Sequence, residues 1–272
     1  MKNGYEKTYK VMMPRLQGGD FLGRTYHLPL GAVPYLLDET PAYAVVFKPP
    51  HIHSVPLKLD GTKNLLHWYA RIFPEVLQIQ GRKLLEGGIL HRLDYDTQGL
   101  VLFAKTQAAM DQLNTQQETG LFIKEYGALS ALAPADPLPG FPPAPPLGST
   151  PLIIASAFRP YGPGRKAVRP VPVTTVPVTA KDSALDQGKP YQTEITALTH
   201  TQGFIRLSLR IKRGFRHQIR CHLAWIGHPI LNDTHYGGAA TQVPGFLALC
   251  AQGISFYDPD SGEPRHYTIS PS

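Results

Sequence analysis

The sequence predicts an α+β fold, a mixed and largely antiparallel sheet with flanking helices, from three observations. Residues 204–212 place Ile205, Leu207, Leu209 and Ile211 on one side and Arg206, Ser208, Arg210 and Lys212 on the other, the two-residue alternation of a half-buried strand. Ala109, Met110 and Leu113 recur at helical spacing between Thr106, which can cap a helix start, and Gly120, which can end one. Short apolar runs bounded by turn residues outnumber such helical stretches.

Taken in order, 43–47 (YAVVF) reads as a strand stopped by Lys48-Pro49-Pro50, and 64–77 as a helix. Residues 100–105 form a buried strand, 106–120 a helix and 121–129 a returning strand. About half of the 27 prolines fall within 134–177, and the run GFPPAPPLGSTP excludes helix and central strand, so this segment is expected to be a surface loop interrupting one domain. Beyond it, 191–198 and 204–212 pair as a hairpin around Thr201, Gln202 and Gly203. A helix over 215–226 follows, with Ile219, Leu223 and Ile226 as its apolar stripe and Gly227 and Pro229 ending it.

Composition narrows the class. The chain has 272 residues, 42% hydrophobic and 10% aromatic, enough for a full core and incompatible with wholesale disorder. Its apolar stretches are far shorter than the roughly 18 residues that cross a bilayer, and 1–10 lacks the apolar core of a secretory signal. No membrane and a cytoplasmic location are expected. Cys221 and Cys250 are too few for a disulfide framework or a four-ligand zinc site. With 27 basic against 20 acidic residues the net charge is +7, which suits a polyanionic partner as well as it suits plain solubility.

Two motifs decide between those readings. Residues 86–105, EGGILHRLDYDTQGLVLFAK, put Asp94 and Asp96 in a turn between an apolar approach and a buried strand, with His91 and Arg92 upstream as contacts to phosphate or base. The commoner meaning of an Asp-x-Asp turn is local capping. Residues 210–222, RIKRGFRHQIRCH, carry Arg213, Arg216 and Arg220 at helical spacing, and no acidic residue lies between Glu194 and Asp233 to balance them. His217, Cys221 and His222 lack the second spaced pair that a metal site needs, so no metal is expected.

HRLDYDTQGLVLFAK, then IKEYGALS at 123–130, then RGFRHQIRCHLAWIGHPILNDTHYGG at 213–238 resemble, in that order, the RluA-type branch of RNA pseudouridine synthases. The resemblance implies the pseudouridine synthase fold with its catalytic cleft, and isomerisation of a uridine in ribosomal or transfer RNA without cofactor or metal. It places the catalytic aspartate at Asp94, its ion-pair partner at Arg220, and at Tyr126 a ring that stacks on uracil and can take the C5 proton. Leu249 would lie under the base, and Arg92 would fill the gap left by a flipped nucleotide. Charge adds Arg165, Lys166, Arg169, Arg206, Arg210, Lys212 and Arg213 as phosphate contacts. The expected organisation is an N-terminal extension over 1–35 with no separate S4-type domain, then a catalytic domain over 36–272, acting as a monomer. The chain departs from the family's pattern at Phe47, at 50–56 (PHIHSVP), at Asn232 and at Cys250. An inactive RNA-binding relative is the alternative. A glycosidase using Asp94 with Asp96 is less favoured, because residues two apart on an extended strand face opposite ways.

Overall fold

The computed structural model describes residues 24–28, 33–58, 61–146, 148, 151–173, 189–201, 203–241 and 246–271. The chain runs β1 (Arg24–Leu28), β2 (Tyr35–Glu39), β3 (Tyr43–Lys48), α1 (Leu65–Tyr69), β4 (Gln98–Ala104), α2 (Gln107–Thr119) and β5 (Ile123–Ala131). It continues through β6 (Leu152–Tyr161), β7 (Ala167–Val171), β8 (Tyr191–His200), β9 (Phe204–Ile211), α3 (Gln218–Trp225), β10 (Leu249–Tyr257) and β11 (Pro264–Pro271). The strands join in the order β2-β3-β4-β10-β5-β9-β8-β6-β7, with β11 on β10 and β1 on β11. Pairing is antiparallel throughout except between β4 and β10 and between β1 and β11. No helix among the described residues is long and apolar enough to cross a membrane.

Each face of the sheet buries its own apolar layer. On one, Tyr126 and Ala128 of β5, Leu207 and Leu209 of β9 and Leu249 of β10 meet α1 and α3 through Leu65, Ile219 and Leu223. On the other, Ala109, Met110 and Leu113 of α2 cover Tyr43, Leu102 and Ile254. The Thr106 hydroxyl accepts from Ala109 N, and Gly120 takes the left-handed conformation with φ of 76°.

Three expectations change. The helix over 64–77 breaks into α1 and a single 3-10 turn at Pro74–Leu77, because Pro74 forces Phe73 out of helical geometry (φ −135°, ψ 86°). The proline-rich region is not one loop: Leu152–Tyr161 and Ala167–Val171 are strands inside it. Ile154, Ala157 and Phe158 supply a buried face, and Pro170 is tolerated because β7 is an edge strand. Residues 134–146 are irregular but tied down, since Ala135 N donates to Gly227 O at 2.8 Å and Trp225 Nε1 to the carbonyls of Pro142 and Pro143 at 3.0 and 3.1 Å. Of the expected N-terminal extension over 1–35, residues 1–23 and 29–32 lie outside the described residues, and β1 within it pairs with β11.

Gly99 brings the parts of the site together. It is the second residue of β4, opposite Ala251 of β10, with φ of 128°, and a Cβ there would lie 2.3 Å from the Ala251 carbonyl oxygen. Only glycine permits both the angle and the approach. Gly99→Ala is therefore expected to lower stability by about 3 kcal/mol in urea titrations, against less than about 0.5 for Gly148→Ala, where a Cβ meets nothing within 4 Å. Equal losses would mean that β4 and β10 do not need this close approach.

Candidate active site

A cleft of about 1220 Å³ opens where the turn before β4, the first half of β5, the start of β10 and the start of α3 converge. Asp94 stands at its head, in a turn closed by Thr97 N donating to Asp94 O at 3.1 Å. The backbone on both sides is fixed from below. Buried Ser54 donates to Leu93 O at 2.9 Å and accepts from Leu93 N at 3.0 Å. Lys48, fully buried, donates through Nζ to Pro49 O (3.0 Å), Ile52 O (2.7 Å) and Tyr95 O (3.2 Å). Burial pulls the Lys48 ammonium down to about 7, opposed by the charges of Asp94 and Asp96.

The Asp94 carboxylate is a quarter exposed to the cleft and faces Arg220 Nη1 at 3.4 Å and His217 Nε2 at 3.9 Å. Arg220 does not belong to Asp94 alone. Its Nε and Nη2 grip the fully buried Asp233 at 2.7 and 2.8 Å, a bidentate fork, and its guanidinium lies over Tyr236 at 5.6 Å. Only the remaining Nη1 reaches Asp94. Burial therefore raises the Asp94 pKa despite Arg220, and the Asp233 charge raises it further. Burial and the charges of Arg220 and Arg216 lower His217 to about 3, leaving a neutral imidazole beside Asp94.

Opposite Asp94, Tyr126 and Leu249 wall the cleft, 7% and 3% exposed. Burial, together with the Asp94 charge, pushes the Tyr126 hydroxyl up, so it stays protonated. The β10–β5 register sets both in place, pairing Leu249 with Ala128 and Ala251 with Tyr126.

The remaining residues singled out by sequence separate into three groups. Arg92 is half exposed on the cleft lining, against Glu86 at 3.3 Å, and Lys166 lines the cleft from the tip of the β6–β7 hairpin. Arg213 also lines it, donating to the carbonyls of Gln117 and Glu118. His91 is buried in the wall, its Nε2 accepting from Leu102 N at 3.3 Å, and burial keeps it neutral rather than a cation for phosphate. Arg206 and Arg210 are on the opposite face of the sheet, where Arg210 pairs with Glu125 at 3.2 Å; Lys212, Arg165 and Arg169 also lie off the cleft lining, and Arg169 donates to Gly140 O at 3.3 Å.

The basic stripe of Arg213, Arg216 and Arg220 does not form. Gln218 is the first residue of α3, because His217 adopts a left-handed φ of 56° and the Gln218 side chain accepts from Phe215 N at 2.9 Å. Arg216 instead donates to the carbonyls of Arg165 and Ala167, at 3.1 and 3.2 Å. Nor is 94–96 an extended strand: the turn swings Asp96 toward His51 Nδ1 at 3.4 Å. Both ring nitrogens of His222 are engaged, with Ser156 and Thr193 at 2.9 Å each, and among the described residues no three His, Cys, Asp or Glu side chains converge as metal ligands do. Sequence reasoning gave no role to Lys48, Ser54 or Asp233. The signal for Asp233 was available, since it is the first carboxylate after the long acid-free stretch that contains Arg220.

Residues 42–225 match the family model described as RNA pseudouridylate synthase. Ribosomal large subunit pseudouridine synthase D of Vibrio parahaemolyticus serotype O3:K6 is 30% identical over 183 residues, which is 66% of this chain and 45% of that protein. Its counterpart in Yersinia pestis is 32% identical over 181 residues, 66% of this chain and 44% of that protein. The chain thus spans about half the length of the curated relatives it matches. Two solved structures share the fold: human RNA pseudouridylate synthase domain containing 1, with a TM-score of 0.60 at 18% identity over 94% of this chain and 86% of that one, and domain containing 4, with 0.55 at 17% over 87% and 88%.

The Arg220 geometry makes a prediction that differs from the expected pairing with Asp94. Arg220→Ala strands a buried Asp233 at a cost of about 3–5 kcal/mol. Adding Asp233→Ala recovers most of that loss in thermal or urea melts, and adding Asp94→Ala recovers less. The reverse ranking would show that Asp94 is the principal partner.

Proposed function

The chain belongs to the RNA pseudouridylate synthase family, and on that footing we propose that it isomerises uridine to pseudouridine in RNA, with Asp94 acting on the ribose. The observation that supports this most is the Asp94 carboxylate at the head of a cleft, flanked by a shared arginine and sharing the cleft with the apolar wall of Tyr126 and Leu249. Breaking the N-glycosidic bond develops positive charge on the ribose, which an ionised carboxylate stabilises. Asp94 serves either as a nucleophile at C1′ or as the base for the C2′ proton. Arg220 favours its ionised form at the cleft without closing over it, because two of its nitrogens are occupied by Asp233.

Tyr126 and Leu249 hold the detached uracil between them while it turns to present C5 to the ribose. The C5 proton must then leave, and the Tyr126 hydroxyl, itself protonated and without a hydrogen bond among the described residues, relays it by passing its own proton to the Asp94 carboxylate, which is free again once C5 is bonded to C1′. The reaction needs no cofactor or metal, so turnover is expected to survive chelation.

A uridine in folded RNA reaches such a cleft only when flipped out, at a cost of a few kcal/mol. Arg92, half exposed on the cleft lining, would enter the vacated stack, and Lys166 and Arg213 on the same lining would meet the RNA backbone. The relatives' names make ribosomal RNA the first substrate to test, with transfer RNA second. We take the protein to act on it in the cytoplasm, as a monomer.

Asp94→Asn removes charge and nucleophile with almost no change of volume. It is expected to abolish tritium release from C5-labelled uridine RNA while RNA affinity stays within several-fold. Turnover within tenfold of wild type would refute the assignment. In the wild-type enzyme the acidic limb of kcat/KM should lie above the ordinary aspartate range, because activity needs the ionised form and burial raises the pKa.

A further inference from the structure

Two donors of the cleft wall have no partner among the described residues. Lys124 of β5, 6% exposed, lines the cleft two residues before Tyr126 and on the same sheet face, and its ammonium makes no hydrogen bond or ion pair among the described residues. His91, 8% exposed, lines the same cleft. Its Nε2 accepts from Leu102 N, so the proton of the neutral ring is on Nδ1, and Nδ1 is buried without a partner among the described residues.

The charges around Lys124 do not satisfy it. Arg82 is the charged group whose field it feels, and Arg213 is on the same lining. The carboxylates on this side are engaged elsewhere, Glu118 facing Arg82 at 3.6 Å and Glu86 facing Arg92 at 3.3 Å. A buried ammonium without a counter-charge is costly, and a native fold keeps one where something else supplies the anion.

We propose that Lys124 forms a subsite for an oxyanion of an RNA phosphodiester, the linkage adjoining the target nucleotide, with His91 in the wall behind it. The assignment rests on the RNA reading above. Lys124 is one strand repeat, roughly 7 Å, from the tyrosine that walls the base, so a base against Tyr126 brings its adjoining phosphate to the ammonium. Lys124 supplies the charge-assisted contact, and the neutral ring of His91 beside it brings no carboxylate or other anion to compete for the ammonium.

The test has two arms. Without RNA, Lys124→Met should melt at a higher temperature than wild type, because it removes an uncompensated buried charge; melting below wild type would show that Lys124 has a structural partner and overturn the subsite. With RNA, a hairpin carrying a looped-out uridine is titrated with each linkage near that uridine replaced in turn by an uncharged methylphosphonate. One replacement should weaken wild-type binding about tenfold and Lys124→Met binding less than twofold. No sensitive linkage in wild type, or equal sensitivity in both proteins, overturns it. Binding is read independently of turnover, so RNA that is bound but not isomerised counts against the proposed reaction and leaves the subsite standing.

Discussion

Arg220 and Asp233, 3% and 0% exposed, form the ion pair on which the site depends. Two charges taken out of water repay their desolvation only through good geometry, and here the fork is bidentate, with a tyrosine face beneath and Asp233 Oδ1 also accepting from His235 N at 3.1 Å. The pair pins α3 to the segment after it and points the third guanidinium nitrogen at Asp94. An arginine dedicated to Asp94 would hold that carboxylate low and cover it. An arginine mostly held by Asp233 leaves it raised and a quarter open to the cleft.

The rest of the scaffold brings distant parts of the chain to that arginine. Parallel pairing of β4 with β10 sets the Asp94 turn beside Leu249, and antiparallel pairing of β10 with β5 sets Leu249 beside Tyr126. Gly99 makes the first of these possible, and Lys48 and Ser54 hold the turn from behind. The candidate catalytic groups therefore sit on a turn, strands and a helix whose backbones are fixed, which is how a site reaches the precision that chemistry demands.

The fold class was legible because its signals are local. The alternation of β9 and the Thr106 and Gly120 caps of α2 are visible in a few residues. Strands β6 and β7 were hidden because prolines that exclude a central strand are tolerated at the sheet edge. Arg213, Arg216 and Arg220 have helical spacing, but a left-handed His217 stands between them and breaks the stripe. Motif resemblance located Asp94, Tyr126, Arg220 and Leu249, which the structure gathers around one cleft. It could not reveal that Asp233 holds most of Arg220, since competition between two carboxylates is a matter of three-dimensional distance. Lys48 was equally hidden, because a fully buried lysine satisfied by three carbonyls reads in sequence as a surface charge.

The division of Arg220 between two carboxylates is the central claim, and the ionisation of Asp94 reports it directly. Carbon-detected NMR titration of the Asp94 carboxyl, in wild type and in Asp233→Asn, measures it without substrate. The account predicts a wild-type pKa above the ordinary aspartate value and a lower one in the variant, because a negative neighbour is gone and the guanidinium is released toward Asp94. An Asp94 pKa that is unchanged or higher in Asp233→Asn would contradict it.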